Sequence, residues 1–375
     1  MMIIVAPNAF KGSLNSLEVA NAITSGLLKT DKNINCKVFP IADGGDGTLL
    51  VWNHYFAGKI ETMEVHDALG RPLVASIAIL PRNVAVIEMA EAVGIRHLVK
   101  KELNVEKASS YGLGEMILGA IDLGVDEIIL GLGGSATVDA GLGMLQALGA
   151  VITGADGLPL GTTSNPLVQI TDLDFSKLDR RFRQIKFTLL CDVENPLIGP
   201  KGAAPVFGPQ KGADHKTIKR LERQFAKLDA LIVEKTKKRL SMVPHGGAAG
   251  GIAYMLMALG KSGIVNGSDF LLHQCGIEEY LAKADLLITG EGKIDSQTLS
   301  GKAPVRVAKL AKKYNVPTIA LAGKIEDEDQ LGSVFDTVLP INDGTKSLEE
   351  AMRNTAKDLE NTASQLIDIW KANRS

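Results

Sequence analysis

Residues 127–139 read Glu127-Ile128-Ile129-Leu130-Gly131-Leu132-Gly133-Gly134-Ser135-Ala136-Thr137-Val138-Asp139. A short apolar strand gives way to a glycine-rich turn and then to a helix start, the step from which α/β folds are built. Glycines let the backbone turn tightly and come close to a ligand. A helix N-terminus adds free N–H groups and partial positive charge, so the combination is an anion site, most often for phosphate. Two further clusters, Ala42-Asp43-Gly44-Gly45-Asp46-Gly47-Thr48 and Thr289-Gly290-Glu291-Gly292-Lys293-Ile294-Asp295, join glycines to carboxylates. Three such clusters in one chain predict an enzyme that handles phosphate.

Outward from this stretch, residues 2–6 form a continuous apolar run, as in a strand buried on both faces. Ser16 is placed to cap a helix over 16–29. A strand at 36–41 and a helix at 46–57 complete a βαβα alternation, which implies parallel strands. From residue 59 the texture changes. Ile60-Glu61-Thr62-Met63-Glu64-Val65-His66 alternates with period two, as does much of 73–80, which predicts antiparallel or mixed sheet. Helices are expected over 109–123, from the opening glycine turn to 148, and over 214–237. In the last of these Ile218, Leu221, Phe225, Leu228 and Ile232 recur at three-four spacing. Strands at 284–288, 317–321 and 335–339 alternate with a helix at 302–313. A final helix after Ser347 has an apolar face reaching Trp370. The expected fold class is α/β: both chain ends join in one doubly wound parallel sheet domain, 1–58 with 245–375. An α+β domain, 59–244, is inserted, and the active site is expected in the cleft between them.

At 375 residues the chain is long enough for two domains. Its 45% hydrophobic and 22% charged residues are the balance of a soluble globular protein. A net charge of −2, with no basic run interleaved with aromatics, speaks against nucleic acid and against membrane surfaces as partners. Cys36, Cys191 and Cys275 are too scattered for a disulfide framework or a zinc knuckle. The apolar run at 2–6 is too short for a signal peptide, and the one at 248–259 falls short of a membrane span. A cytoplasmic location is expected.

The opening stretch also fits G-x-G-x-x-A through Gly131, Gly133 and Ala136, the dinucleotide fingerprint, but no acid ends a second strand about twenty residues on. Plain close packing is a third explanation of its glycines. Asp43 and Asp46 follow a strand end, where a magnesium-nucleotide is held in parallel sheets, although one of them could simply cap the helix. Lys11, in the turn Pro7-Asn8-Ala9-Phe10-Lys11-Gly12-Ser13, is placed to meet a phosphate or a carboxylate. Asp192 ends another buried strand. Asn195 and Gln210 offer hydrogen bonds to substrate oxygens, with turn chemistry as the alternative. His245-Gly246-Gly247-Ala248-Ala249-Gly250-Gly251 is a second helix-opening glycine run, read as an anion site or as close packing. Glu291, Lys293, Asp295 and Gln297 follow the strand at 284–288. Acids and cations after several separate strands meet the needs of phosphoryl transfer.

Taken in order, these motifs resemble the bacterial glycerate kinase family of type I, glycerate 2-kinase-like. That family carries Pro-Asp-Ser-Phe-Lys-Gly-Ser, Ala-Asp-Gly-Gly-Glu-Gly-Thr and Gly-Gly-Ser-Ala-Thr-Asn-Asp. It continues with Cys-Asp-Val-x-Asn-Pro-Leu, Phe-Gly-Pro-Gln-Lys-Gly-Ala, Gly-Ala-Ala-Gly-Gly and Thr-Gly-Glu-Gly-Arg-x-Asp. All seven are recognisable here between Pro7 and Asp295. The departures are Asn8 and Ala9 for Asp and Ser, Asp46 for Glu, Val138 for Asn, Ala140 for Gly and Lys293 for Arg.

The resemblance implies ATP-dependent, Mg²⁺-assisted phosphorylation of D-glycerate, at the 2-hydroxyl, by a protein with a Rossmann-like domain. On this reading Asp46, Asp192, Asp295 and Lys11 are the catalytic candidates, and Asp43, Asp46 and Asp192 the metal ligands. Gly246, Gly247, Gly250, Gly290, Glu291 and Lys293 would bind the nucleotide. Gly133, Gly134, Ser135, Thr137, Asn195 and Gln210 would bind glycerate. A homodimer is compatible with the sequence. Two other readings stay open: a nicotinamide-dependent oxidoreductase, resting on the fingerprint, and a phosphometabolite sensor or altered paralogue, resting on Asn8 and Ala9.

Overall fold

The computed structural model describes residues 1–295, 298, 301–326 and 328–372. Gln297 and the side chain of Trp370 lie outside the described residues. In chain order the strands begin with β1 (Met2–Val5), β2 (Asn35–Val38), β3 (Lys59–His66), β4 (Pro72–Leu80), β5 (Val84–Glu88) and β6 (Glu127–Gly131). They continue with β7 (Val151–Thr153), β8 (Asp172–Asp174), β9 (Lys186–Leu190), β10 (Lys261–Val265), β11 (Leu286–Ile294), β12 (Thr318–Ile325) and β13 (Thr337–Pro340). The chain divides into two compact units, Met1–Asp43 with Gly267–Ser375, and Gly44–Asn266.

The first unit is built on a parallel sheet of order β13-β12-β11-β1-β2. Side chains alternate across a strand, and β12 shows where they go. Ile319 and Leu321 join a core with Ile3, Val5, Ile23 and Leu359, while Ala320 and Ala322 join a second core with Val305 and Phe335. Both faces are therefore covered, which explains the continuous apolar runs. Helix Ser16–Thr30 is capped one residue earlier than expected, by Asn15, which makes a capping box with Glu18. The Ser16 hydroxyl instead donates to the Ile41 carbonyl at 2.8 Å. This helix meets Leu348–Ala372 closely enough that a Cβ at Gly26 would overlap the Glu360 carbonyl. From β1 the chain runs to β2 on one side, and β11, β12 and β13 run away on the other. The strand order thus reverses between β1 and β11, the place where doubly wound sheets bind ligands beyond their strand ends.

The second unit holds a six-stranded sheet of order β10-β9-β6-β5-β4-β3. The segment β3-β4-β5 is antiparallel, as the period-two alternation predicts, and β5, β6, β9 and β10 are parallel. The inserted unit starts at 44 and ends at 266, where 59 and 244 were expected. Helix Thr48–Phe56 packs on β4 and β5, and β10 pairs with β9, so both belong with this sheet. Among the described residues no helix is long and apolar enough to cross a membrane.

Candidate functional site

The glycine turn after β6 does not open a helix. Residues 132–141 are irregular, and the short helix Leu142–Ala147 begins only after Gly141. Its first N–H groups are answered from within the chain. Asp139, buried, accepts from Gly141 N at 3.1 Å, Gly143 N at 3.2 Å, and Ser110 N and Oγ both at 2.7 Å. Burial pushes its carboxyl up while these donors pull it down. Asp139 therefore stands where the expected anion would sit.

The loop 133–137 is held from three sides. Gly133 N donates to Gly44 O at 3.0 Å, Ile95 N to Gly134 O at 2.8 Å, and Ala136 N to Val93 O at 2.9 Å. From elsewhere Lys211 Nζ donates to Ser135 Oγ at 2.6 Å and to Thr137 O at 2.8 Å. Lys211 is buried, and burial lowers it to about 7, against the pull of Asp139. The sequence reading missed it and took its exposed neighbour Gln210 instead. A lysine in a proline–glycine turn carries no mark that separates a buried anchor from a solvated surface.

The second glycine run packs against the first. Gly246 N, Gly247 N and Ala248 N donate to the carbonyls of Val243, Asn195 and His245. Ala249, Gly250 and Gly251 take positive φ inside Ala248–Leu259. Ala140 N donates to Gly250 O at 2.9 Å, and a Cβ at Gly250 would overlap the Thr137 carbonyl. The N–H groups of Gly246 and Gly247 are thus engaged, and Gly250 is needed for close approach. This run is packing rather than the open anion site expected for the nucleotide. Val138 is a core residue, which accounts for an apolar side chain there.

Asp46 Oδ1 accepts from Arg96 Nη1 at 2.8 Å, and the other arm of Arg96 pairs with Glu91. The position of a Cβ on Gly134 lies 3.6 Å from Asp46 Oδ1, so the acid faces the glycine loop. Glu88 ends β5 in register with Gly131. It is buried, and it accepts from Leu49 N at 2.6 Å. It thereby caps helix Thr48–Phe56, whose N-cap Gly47 has no side chain to do so. Burial pushes its carboxyl up to about 7, with Glu91 and Asp46 adding and Leu49 N and Arg96 opposing. Glu88, Glu91 and Arg96 escaped the sequence reading, although an acid closing the apolar run Val84-Ala85-Val86-Ile87 is a signal of the same kind as Asp192. Asp192 itself takes a bond from Asn266 Nδ2 at 2.6 Å. Asn195 Nδ2 donates to Lys201 O at 2.8 Å, so turn chemistry explains that residue.

In the first unit β11 does not stop at Ile288 but stays paired with β12 as far as Ile294. Gly290, Glu291 and Lys293 are therefore strand residues rather than a loop. A Cβ at Gly290 would overlap the Leu321 carbonyl, so this glycine serves strand packing. Buried Glu291 accepts from Thr298 Oγ1 at 2.6 Å. Burial pushes it up, Lys302 and Lys11 pull it down, and Asp43 pushes it up again. Lys293 Nζ bridges Asp295 Oδ2 at 3.1 Å and Glu326 Oε2 at 2.9 Å. Burial works to raise Asp295, but Lys293, the Thr298 N–H and Lys302 outweigh it and hold the carboxyl below its ordinary value. Asn8 Oδ1 accepts from Ala9 N at 2.8 Å, and Asn8 N donates to Gly290 O at 2.8 Å, so position 8 shapes the turn after β1. A cavity of about 330 Å³ opens beside Lys11, Glu291 and Lys302.

Among the described residues no group of three or more His, Cys, Asp or Glu is set to hold a metal. Mg²⁺ does not require one, since it commonly binds through one or two carboxylates together with phosphate oxygens. Glu291, with Asp43 near enough to raise its affinity for a proton, fits that use.

Cations and acids gathered at and near the ends of parallel strands, in two α/β units, are what phosphoryl transfer needs. The chain matches the model of the Glycerate kinase family over residues 3–371. It is 39% identical to Glycerate kinase of Halalkalibacterium halodurans, over 100% of this chain and 99% of that one. It is 37% identical to Glycerate 2-kinase of Escherichia coli (strain K12), over 94% and 93%. A crystal structure of a protein designated glycerate kinase 2 from Salmonella typhimurium LT2 superposes with a TM-score of 0.85 at 38% identity, covering 100% and 99% of the two chains. The chain belongs to the glycerate kinase family, and it is a phosphotransferase with an alcohol group as acceptor. The family match does not favour the nicotinamide reading.

Proposed function

We propose that the protein transfers the γ-phosphoryl group of ATP to the 2-hydroxyl of D-glycerate, giving 2-phosphoglycerate and ADP. The observation that carries the phosphoryl-donor side is the cavity that Lys11, Lys302 and buried Glu291 line together, where the strand order of the first sheet reverses. Neither lysine has a salt bridge among the described residues, so both are available to balance phosphate charge. Glu291 and Asp43 would hold Mg²⁺, which when bound neutralises charge on the β- and γ-phosphates.

The acceptor side falls to the second unit. Asp46, oriented by Arg96 and facing the loop 133–137, takes the proton of the glycerate hydroxyl as the O–P bond forms. Gly134, Ser135 and their neighbours present backbone and hydroxyl groups to the oxygens of the acid. In the first unit, on the donor side, Lys293 is aligned by Asp295 and Glu326. Asp192, oriented by Asn266, is the second candidate base.

Coupled ADP-release assays with a panel of small hydroxy acids test the substrate, and ³¹P NMR of the product tests the position. Turnover of another acid but not of glycerate rejects the substrate. A 3-phosphoglycerate signal rejects the 2-hydroxyl.

A further inference from the structure

In the second unit the end of β8 and the turn after it border a cavity of about 540 Å³. Its apolar lining is Leu173 and Leu178, both buried, with Phe175. Its cations are Arg180, Arg183 and Lys235. None of these residues belongs to the candidates at the glycine loop or beside Lys11.

The cations gather there for a local reason. Arg180–Arg183 is a turn of 3₁₀ helix, in which side chains three residues apart eclipse one another. Phe182 enters the core against Phe187, with ring centroids 5.4 Å apart. Arg181 is taken by Asp122 at 2.8 Å and by Asp179 at 2.7 Å. Arg180 and Arg183 are left on one side of the turn, and among the described residues neither has a hydrogen bond or an ion pair. Like charges on neighbouring positions of a helical face oppose folding, so this pair costs stability until an anion meets it. Lys235 is shared with Asp172 at 3.0 Å. The acid in the lining is Asp174, whose carboxylate accepts from Ser176 N and Ser176 Oγ, both at 2.8 Å. Each of its oxygens keeps room for a further donor.

We infer that this cavity binds a small phosphate monoester that also carries hydroxyl groups, a sugar or polyol phosphate. Two unpaired guanidinium groups match the charge of such an ester, about −1.5 to −2 at neutral pH. Their forked donors suit its phosphate oxygens. Asp174 and Ser176 take the hydroxyls, and the apolar lining lies against the carbon skeleton. The same Asp174 repels an added carboxylate, so a phosphorylated organic acid fits less well. The volume is in the usual range for small ligands, about 300–1,000 Å³.

Isothermal titration calorimetry with glucose 6-phosphate is the test, with inorganic phosphate, glucose and 3-phosphoglycerate as comparison ligands. The wild type is expected to bind glucose 6-phosphate roughly tenfold more tightly than inorganic phosphate, and glucose not at all. Arg180→Gln and Arg183→Gln are each expected to weaken that binding roughly tenfold or more. Both arginines are exposed, so the substitutions spare the fold. Their kcat and KM values are expected to stay within about twofold of the wild type. Asp174→Asn is expected to keep the phosphate and to lose the preference for the sugar ester. If the wild type does not bind glucose 6-phosphate, or if both arginine variants bind it as the wild type does, the cavity assignment is overturned. If inorganic phosphate binds as tightly as the ester, the cavity reads an anion only and the ligand class is overturned. Tighter binding of 3-phosphoglycerate, lost in the arginine variants, overturns the ligand class as well, in favour of a phosphorylated acid.

Discussion

Lys211 Nζ donates a 2.6 Å hydrogen bond to Ser135 Oγ, joining a buried lysine to the middle of the glycine loop. Burial lowers this lysine to about 7, below its ordinary value in an unfolded chain. Between those two values the unfolded state binds the extra proton, so this group's contribution to stability rises with pH. Lys211→Met removes the titration. The difference in Tm between wild type and variant is therefore expected to move in favour of the wild type from pH 7 upward. A difference that stays flat from pH 6.5 to 9.5 would show that Lys211 does not change protonation in this window. Loss of the tether to Ser135 and Thr137 should also raise KM for glycerate more than KM for ATP.

Glu88 has the opposite sign. Burial raises its carboxyl to about 7, above the unfolded value, so the folded state binds the extra proton between the two. Its contribution to stability is present at low pH and is lost as pH rises through about 7. Glu88→Gln keeps an acceptor for Leu49 N and removes the buried charge. The variant is expected to be more stable than wild type at pH 8, by on the order of 2 kcal/mol, with the advantage gone near pH 4.5. Urea unfolding at the two pH values measures it, and a destabilised variant at pH 8 would show that the ionised carboxyl is a net stabilising cap.

These two residues mark where sequence reading stops. The strands of the doubly wound sheet and the alternating β3 and β4 were legible because apolar runs and period-two alternation have direct physical causes, whereas β7, β8 and β10 carry too short or too mixed a pattern and were not expected. The amphipathic helix His215–Thr236 was legible from its three-four spacing, although Asp214, read as its first residue, is its cap. What glycines do was not legible. A run such as Gly246-Gly247-Ala248-Ala249-Gly250-Gly251 is equally suited to approach a phosphate or another backbone, and only the Thr137 carbonyl against Gly250 decides. The end of β11 was likewise hidden, because Gly290 and Gly292 look like a turn until β12 pairs with them.

Gly250 offers a direct check of that packing. At φ +67°, with the Thr137 carbonyl against its Cβ position, Gly250→Ala meets both backbone strain and a clash. A loss of about 2 kcal/mol or more is expected, with a matching fall in activity because Thr137 belongs to the loop that Lys211 holds. Gly263, in β10, has nothing near its Cβ position and no positive φ. Gly263→Ala should change stability by less than about 1 kcal/mol, with either sign. Equal losses at both positions would contradict a specific contact at Gly250.

Arg96 bridges Asp46 and Glu91, and its meaning for the reaction depends on whether it acts through Asp46 or beside it. If Asp46 takes the hydroxyl proton, Asp46→Asn keeps the shape and lowers kcat by roughly 10²-fold or more, with KM for ATP unchanged. Arg96→Met leaves Asp46 charged but unaligned, and a smaller loss, roughly tenfold, is expected. The double variant separates the cases. An arginine that only orients Asp46 has nothing left to orient once the charge is gone, so the double variant should be no slower than Asp46→Asn alone. Losses that multiply would instead mean that Arg96 meets the substrate itself. KM for glycerate would then rise in Arg96→Met even when Asp46 is already Asn.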